Sequence, residues 1–397
     1  MPKNSSLSYS LFALPWALPL TLLAGCGGGG SSSTAPATST TTTPVAVTQA
    51  LTVDFASLSN YAAPALPAYY DATVSALDNT PPQDPVDDKI ATLGRVLFYD
   101  KQLSFNNTVS CASCHSQANG FDDSQRFSVG FEGNAFTTAH AMRLGNSRYY
   151  RPGDTFWDRR AESLEAQASQ PIQNAIEMGF DAAHGGFAAV ITKLQNLSYY
   201  PALFSFAFGD AAITEARVQR ALAQFERAMV STGSRWDAGY SANYAPAAPD
   251  RGLGTPIASF TAEENQGRAL FMNPPNAGGA GCVGCHVAPT FSLAANSRSN
   301  GLDAGETVVF KSPSLKNVAL SGAFMHDGRF ATLTEVVEHY NSGVQAGPAL
   351  DNRLIGPGGQ PRRLNLTTAQ KAALVAFMQT LTDTALVADA KFSTPFR

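Results

Sequence analysis

The sequence predicts a mainly α-helical protein of two domains with long loops, and three observations carry that expectation. Cys-X-X-Cys-His occurs twice, as Cys111-Ala-Ser-Cys114-His115 and Cys282-Val-Gly-Cys285-His286, once in each half of a 397-residue chain. Apolar residues at helical spacing flank both copies. Sustained alternation of β-branched residues is missing, and no hairpin signal stands out.

The elements follow in chain order. Residues 1–26 read as a secretory signal, because Lys3 precedes an apolar stretch from Leu11 to Leu23 that is too short and too lightly flanked for a stable membrane span. Leu23-Ala24-Gly25-Cys26 resembles a bacterial lipoprotein cleavage box, which assigns the fifth cysteine to a lipid-carrying N-terminus; the rival is a signal peptide with an incidental cysteine. Gly27 directly after it resembles the pattern sent to the outer membrane. The expected place is the periplasm, with membrane contact only through that lipid. Residues 27–49, rich in Gly, Ser and Thr, have too little apolar surface to offset the entropy of ordering them and are expected to be a flexible tether. Residues 50–87 make an N-terminal extension.

The first domain is expected over 88–250. Ile90, Leu93 and Leu97 form a helical stripe before Cys111, and Val218, Leu222, Phe225 and Met229 line a later helix. The second domain is expected over 258–397. Thr261-Ala-Glu-Glu264 is a capping-box pattern that opens a helix toward Phe271, and Thr367-Thr-Ala-Gln370 opens another with Leu374, Phe377, Met378 and Leu381 on one face. The Gly- and Pro-rich stretches 245–257 and 273–281 read as the domain connection and the loop into the second motif. A formal net charge of −4 is mild for this length and argues against nucleic acid as a partner.

The chemistry lies in the paired motifs. Two thiols three positions apart reach the two vinyl groups of one porphyrin, and the adjacent histidine then faces the iron, so two covalently attached c-type haems are expected. Cys111, Cys114 and His115 would hold one, and Cys282, Cys285 and His286 the other, with His115 and His286 as iron ligands. The simplest architecture is two cytochrome-c-like domains. A disulfide or redox Cys-X-X-Cys pair and a shared zinc site are the rivals, and a zinc site would need the pairs to converge.

Beyond the motifs, the chain resembles the bacterial dihaem cytochrome c peroxidase family, including its MauG-type members, over roughly residues 88–385. The likeness is carried by Leu93-Gly-Arg-Val-Leu-Phe-Tyr-Asp100 with Leu103-Ser104, Cys111 to Phe121, Phe156-Trp157-Asp158, Gln167 through Glu177-Met178-Gly179, Phe310-Lys-Ser-Pro-Ser-Leu-Lys-Asn317, and His326-Asp-Gly328. The resemblance implies that peroxide reacts at the first haem and that the second stores and relays electrons. It also implies catalytic roles for Glu177, which moves a proton between peroxide oxygens, and for Gln167 in the same pocket. Trp157 would lie between the haems. Arg160 matches the family, whereas Arg159 stands where glycine is more usual.

Peroxidase members often carry a displaceable histidine after the first motif, and the matching position here is Phe131, so the first iron is expected to be open or water-bound at rest. At the second iron the family's methionine is replaced by Tyr340, as in MauG-type enzymes, with Met325 or His339 as rival ligands. The resemblance further implies a calcium ion held by the carbonyls of Lys311 and Pro313. Its amide position is matched by His140, with Asn146 near. His184 has no counterpart and reads as a loop histidine. The expected function is reduction of hydrogen peroxide, fed by a small periplasmic donor such as a cytochrome c or cupredoxin. The alternatives are MauG-like oxidation of a partner protein's side chains and a non-catalytic electron-transfer cytochrome. Homodimers are usual in the family, but no self-complementary patch is legible in the sequence.

Overall fold

The computed structural model describes residues 45–397. The signal-like segment 1–26 and the tether as far as residue 44 lie outside the described residues. Helix Val45–Ala50 occupies the end of the stretch expected to be tether, because Val47 finds a core to enter: it is 1% exposed, and Leu51 behind it bridges to Phe396. Among the described residues no helix is long and apolar enough to cross a membrane.

Two helix crossings build the interior. Helix Asp88–Tyr99 starts at Asp87, whose carboxylate accepts from the Lys89 and Ile90 backbone N–H groups at 2.8 and 3.1 Å. It buries Ile90, Leu93 and Leu97 against helix Glu215–Ala228, which Thr214 caps. Helix Ala262–Met272 opens with the Thr261–Glu264 capping box and packs on helix Thr368–Gln379, which opens with the Thr367–Gln370 box. Both boxes are where the sequence expects them.

In each pair the helices meet backbone to backbone at a glycine. A Cβ on Gly94 would stand 1.9 Å from the Ala221 carbonyl oxygen, and one on Gly267 would stand 1.8 Å from that of Ala373. Each crossing lies just upstream of a Cys-X-X-Cys-His motif. The chain encodes it twice, as Gly94-Arg-Val-Leu-Phe98 and Gly267-Arg-Ala-Leu-Phe271, a repeat that apolar periodicity alone does not reveal.

Apolar side chains gather into two cores, one around each crossing. The cores interleave along the chain more than a boundary near 250–258 implies. Trp236 and Tyr240, on helix Arg235–Asn243, join the second core, and Leu386 and Phe392 near the C-terminus return to the first. Segment 50–87 straps both, with Tyr61 in the first core and Tyr69 in the second, where the Tyr69 hydroxyl donates to Asp237 at 2.6 Å. The only paired strands among the described residues, His286–Val287 and Ser292–Leu293, have two residues each, so the fold is mainly α with long loops.

Candidate active site

The first motif forms a single helical turn, Cys111–Cys114, closed by a capping box between Ser110 and Ser113. His115 follows at its end, and its Nδ1 lies 3.2 Å from the Phe121 carbonyl oxygen, which leaves Nε2 as the ring nitrogen for a metal. Gly120 at φ 70° and Phe121 at φ 64° make the left-handed turn that brings that carbonyl under the ring. Cys114 and His115 line a cavity of about 330 Å³ whose other walls include Gln167, Pro171, Glu177 and Glu226.

Gln167 comes from helix Leu164–Ala168, capped by Ser163, and the helix ends before Pro171 as the sequence expects. The chain then turns through Asn174, whose Oδ1 accepts from the backbone N–H groups of Ile176 and Glu177 at 2.8 and 3.1 Å. This turn carries the Glu177 carboxyl to the cavity. Burial pushes that carboxyl above the ordinary range, and the Arg160 guanidinium, itself 2.8 Å from Asp158, holds it back. Phe131 braces the turn from behind: its backbone N–H meets the Ile176 and Glu177 carbonyls at 3.1 Å, and its ring fills the space where a Gly179 side chain would stand. The side chain at the displaceable-ligand position is therefore packed on Gly179 rather than lining the cavity.

The second motif lines a larger cavity, of about 480 Å³, with Cys282, Cys285 and His286 on its walls. Arg353 fastens this loop: its guanidinium donates to the Gly284 carbonyl and grips Asp351 at 2.7 and 2.8 Å. His286 Nδ1 is buried without a partner, and burial together with Arg143 and Arg353 pushes the imidazole down to about 4. Tyr340 projects into the same cavity from a π-helical turn, His339–Gly343, a distortion that often accompanies functional positions. Met325 also lines it, with its sulfur 3.3 Å from Asn300 Nδ2. His339 does not line it; its Nε2 meets the Asn300 carbonyl at 3.1 Å.

Trp157, His140, Phe310, Lys311 and His326 line both cavities. The Trp157 indole donates to the His140 carbonyl at 2.7 Å, and its backbone carbonyl accepts from Lys311 at 2.7 Å. His326 stacks on Phe310 with ring centroids 3.9 Å apart. Arg159 sits at φ 60°, the left-handed conformation that explains glycine at this position, and its guanidinium reaches the Ser297 carbonyl at 3.0 Å.

The residues fit one covalent haem in each cavity. The four described cysteines are free thiols; Cys114 lines one cavity and Cys282 and Cys285 the other, and no metal-holding cluster of three or more His, Cys, Asp or Glu forms among the described residues. Burial pushes Cys114 up to about 11 and Cys282 up to about 12, the reverse of the depressed thiols of redox Cys-X-X-Cys pairs.

The two candidates for the amide ligand of a calcium ion are otherwise engaged. His140 Nε2 pairs with Asp122 at 3.1 Å and its Nδ1 faces the Gln125 and Arg126 carbonyls, while Asn146 Oδ1 accepts from the Ser231 backbone at 2.7 Å. His184 lies 2.8 Å from Asp181 and packs on Phe105, away from both cavities.

Two buried side chains at the first cavity escape sequence reasoning. Glu226 is 6% exposed with Oε2 unpartnered, and burial pushes it up to about 8; Lys311, expected only as a carbonyl donor, buries its ammonium in the shared wall. A signal for Glu226 was present, since it adjoins the apolar stripe of Val218, Leu222 and Phe225.

Known proteins resemble this chain. The family model described as di-haem cytochrome c peroxidase matches residues 88–244. Methylamine utilization protein MauG of Methylophilus methylotrophus is 31% identical over 321 residues, 77% of this chain and 86% of its own. Cytochrome c551 peroxidase of Nitrosomonas europaea is 29% identical over 314 residues, 74% of this chain and 84% of its own. The crystal structure of a MauG-like protein associated with microbial copper homeostasis aligns with a TM-score of 0.65 and 29% identity, over 80% of this chain and 96% of its own. Two cavities, each with its Cys-X-X-Cys-His motif, and a relative matched along most of its length lead to one conclusion: the chain belongs to the dihaem cytochrome c peroxidase family, whose cofactor is haem c.

Proposed function

We propose that this protein reduces hydrogen peroxide in the cavity of Cys114 and His115, with electrons entering through the cavity of Cys282, Cys285 and His286. The observation that carries this reading is that Gln167 and Glu177 share the first cavity with that motif while Phe131 packs outside it. Bound haem would supply the iron that takes up peroxide and passes on electrons. Glu177 accepts a proton from the inner peroxide oxygen and returns it to the departing one, a task suited to a carboxyl whose affinity for protons is raised by burial. Gln167 orients the peroxide from the same wall, and Trp157 spans the partition between the cavities. Two electrons and two protons turn each peroxide into two waters.

The electron donor we favour is a small periplasmic cytochrome c or cupredoxin. The periplasm, and the lipid anchor in the outer membrane, are inferred from the leader-like residues 1–26. Steady peroxide consumption by the haem-loaded protein with a reduced cytochrome c or cupredoxin tests the assignment, and absence of turnover with every such donor would count against it. A MauG-like reading, in which a partner protein's side chain is the reductant, draws support from Tyr340 at the second cavity and from the MauG relative. It predicts instead a slowly decaying oxidised state after peroxide, without turnover of small donors. No reaction with peroxide at all would favour simple electron carriage.

A further inference from the structure

Lys311 is 6% exposed and lines both cavities. Its ammonium has no carboxylate within 4.0 Å among the described residues; it contacts the Met142 sulfur at 3.6 Å and lies over the Tyr150 ring, 5.0 Å from the centroid. Around it lie polar atoms that are themselves buried without partners: Tyr150 Oη, Asp154 Oδ1, Arg159 Nε and Glu226 Oε2. Neither neighbouring carboxyl closes an ion pair with it: Asp154 and Glu226 both stay beyond 4.0 Å, and burial also pushes Glu226 up to about 8.

A buried ammonium without a contacting anion is unfavourable, and a fold retains one where its partner arrives with a ligand. The anionic groups that haem adds are its propionates. The one wall common to the two cavities already holds a cation and spare hydrogen-bonding capacity.

We propose that the Lys311 ammonium is the built-in counter-ion of a haem propionate at the wall between the two cavities, and that its charge biases the adjoining iron toward the reduced state. The inference rests on the two-haem reading. A fixed positive charge near an iron disfavours the extra positive charge of the ferric form, so its removal lowers the midpoint potential.

Spectroelectrochemical titration of the haem-loaded protein tests this. In Lys311→Met at least one haem shifts its oxidised-to-reduced ratio at fixed poise tenfold or more toward oxidised, equivalent to 59 mV for a one-electron couple. Lys311→Arg, which keeps the charge, recovers most of that shift. Oxidised-to-reduced ratios in Lys311→Met that stay less than tenfold from the parent at both haems, with both attached by mass, overturn the proposal. A parent that carries no covalent haem by mass refutes the two-haem reading instead. Should Lys311→Met fail to assemble, the parent still decides: its propionate bending modes in resonance Raman spectra shift between H₂O and D₂O if an N–H donor is bound, and their indifference to D₂O overturns the proposal.

Discussion

Glu177→Gln isolates proton handling from shape. Glutamine keeps the volume and the hydrogen-bonding reach of the side chain, and the Asn174 turn that presents it is held through backbone groups that the substitution leaves alone. A positioned acid–base group contributes about 10²–10⁴-fold in rate. Glu226, the other carboxyl on this cavity, is pushed up by burial to about 8 and is a poor substitute as proton acceptor. The expected loss is about 10²–10⁴-fold, or about 3–5 kcal/mol of transition-state stabilisation.

The assay is the stopped-flow rate of the haem-loaded protein with peroxide, followed against pH. In the parent the rate falls as pH drops through the Glu177 pKa, which lies above the usual glutamate value because burial favours the protonated form. Glu177→Gln lacks that acid limb. Stability moves the other way: a carboxyl whose pKa is raised by folding favours the fold below its unfolded pKa and loses that contribution as pH rises through the folded value. Above its folded-state pKa the charged Glu177 opposes folding, so in that range Glu177→Gln is expected to melt no lower than the parent. A rate within threefold of the parent, or an unchanged acid limb, refutes the assignment.

Gly94→Ala and Gly267→Ala should each destabilise the protein by about 1–3 kcal/mol or more, read from thermal unfolding, because each new methyl meets a backbone carbonyl across a helix crossing; an unchanged melting temperature refutes that packing argument. Gly179→Ala should lower the peroxide rate without loss of haem, since the methyl meets the Phe131 ring that braces the Glu177 turn and the backbone there is left-handed at φ 83°. Tyr340→Met should raise the potential of the second haem, and Met325→Leu should leave it unchanged; the reverse result in redox titrations would assign the iron to Met325. Trp157→Phe removes the indole N–H that holds the His140 carbonyl and should slow oxidation of the second haem after peroxide, measured by stopped-flow absorbance.

Features written in local sequence were the legible ones. The capping boxes at Thr261 and Thr367 open their helices where the pattern says, and Pro171 separates Gln167 from Glu177, because such signals act over a single helical turn. The two haem motifs are local in the same sense. Features that tertiary packing decides were not legible: Trp236 joins the second core across the expected domain boundary, and the ammonium of Lys311 is buried against Met142 and Tyr150, far away in sequence. Side-chain direction was the other blind spot. His339 and Tyr340 are neighbours in sequence, yet the π-turn sends only the tyrosine into the cavity.

We propose an asymmetry between the cavities: haem at the first motif would keep a face free for peroxide beside Glu177, and Tyr340 would close the second. Electron paramagnetic resonance of the resting ferric protein, before and after one equivalent of peroxide, tests it most directly. A high-spin signal from one haem is expected beside a low-spin signal from the other, with the high-spin signal consumed by peroxide. Two low-spin signals that peroxide leaves untouched would contradict it.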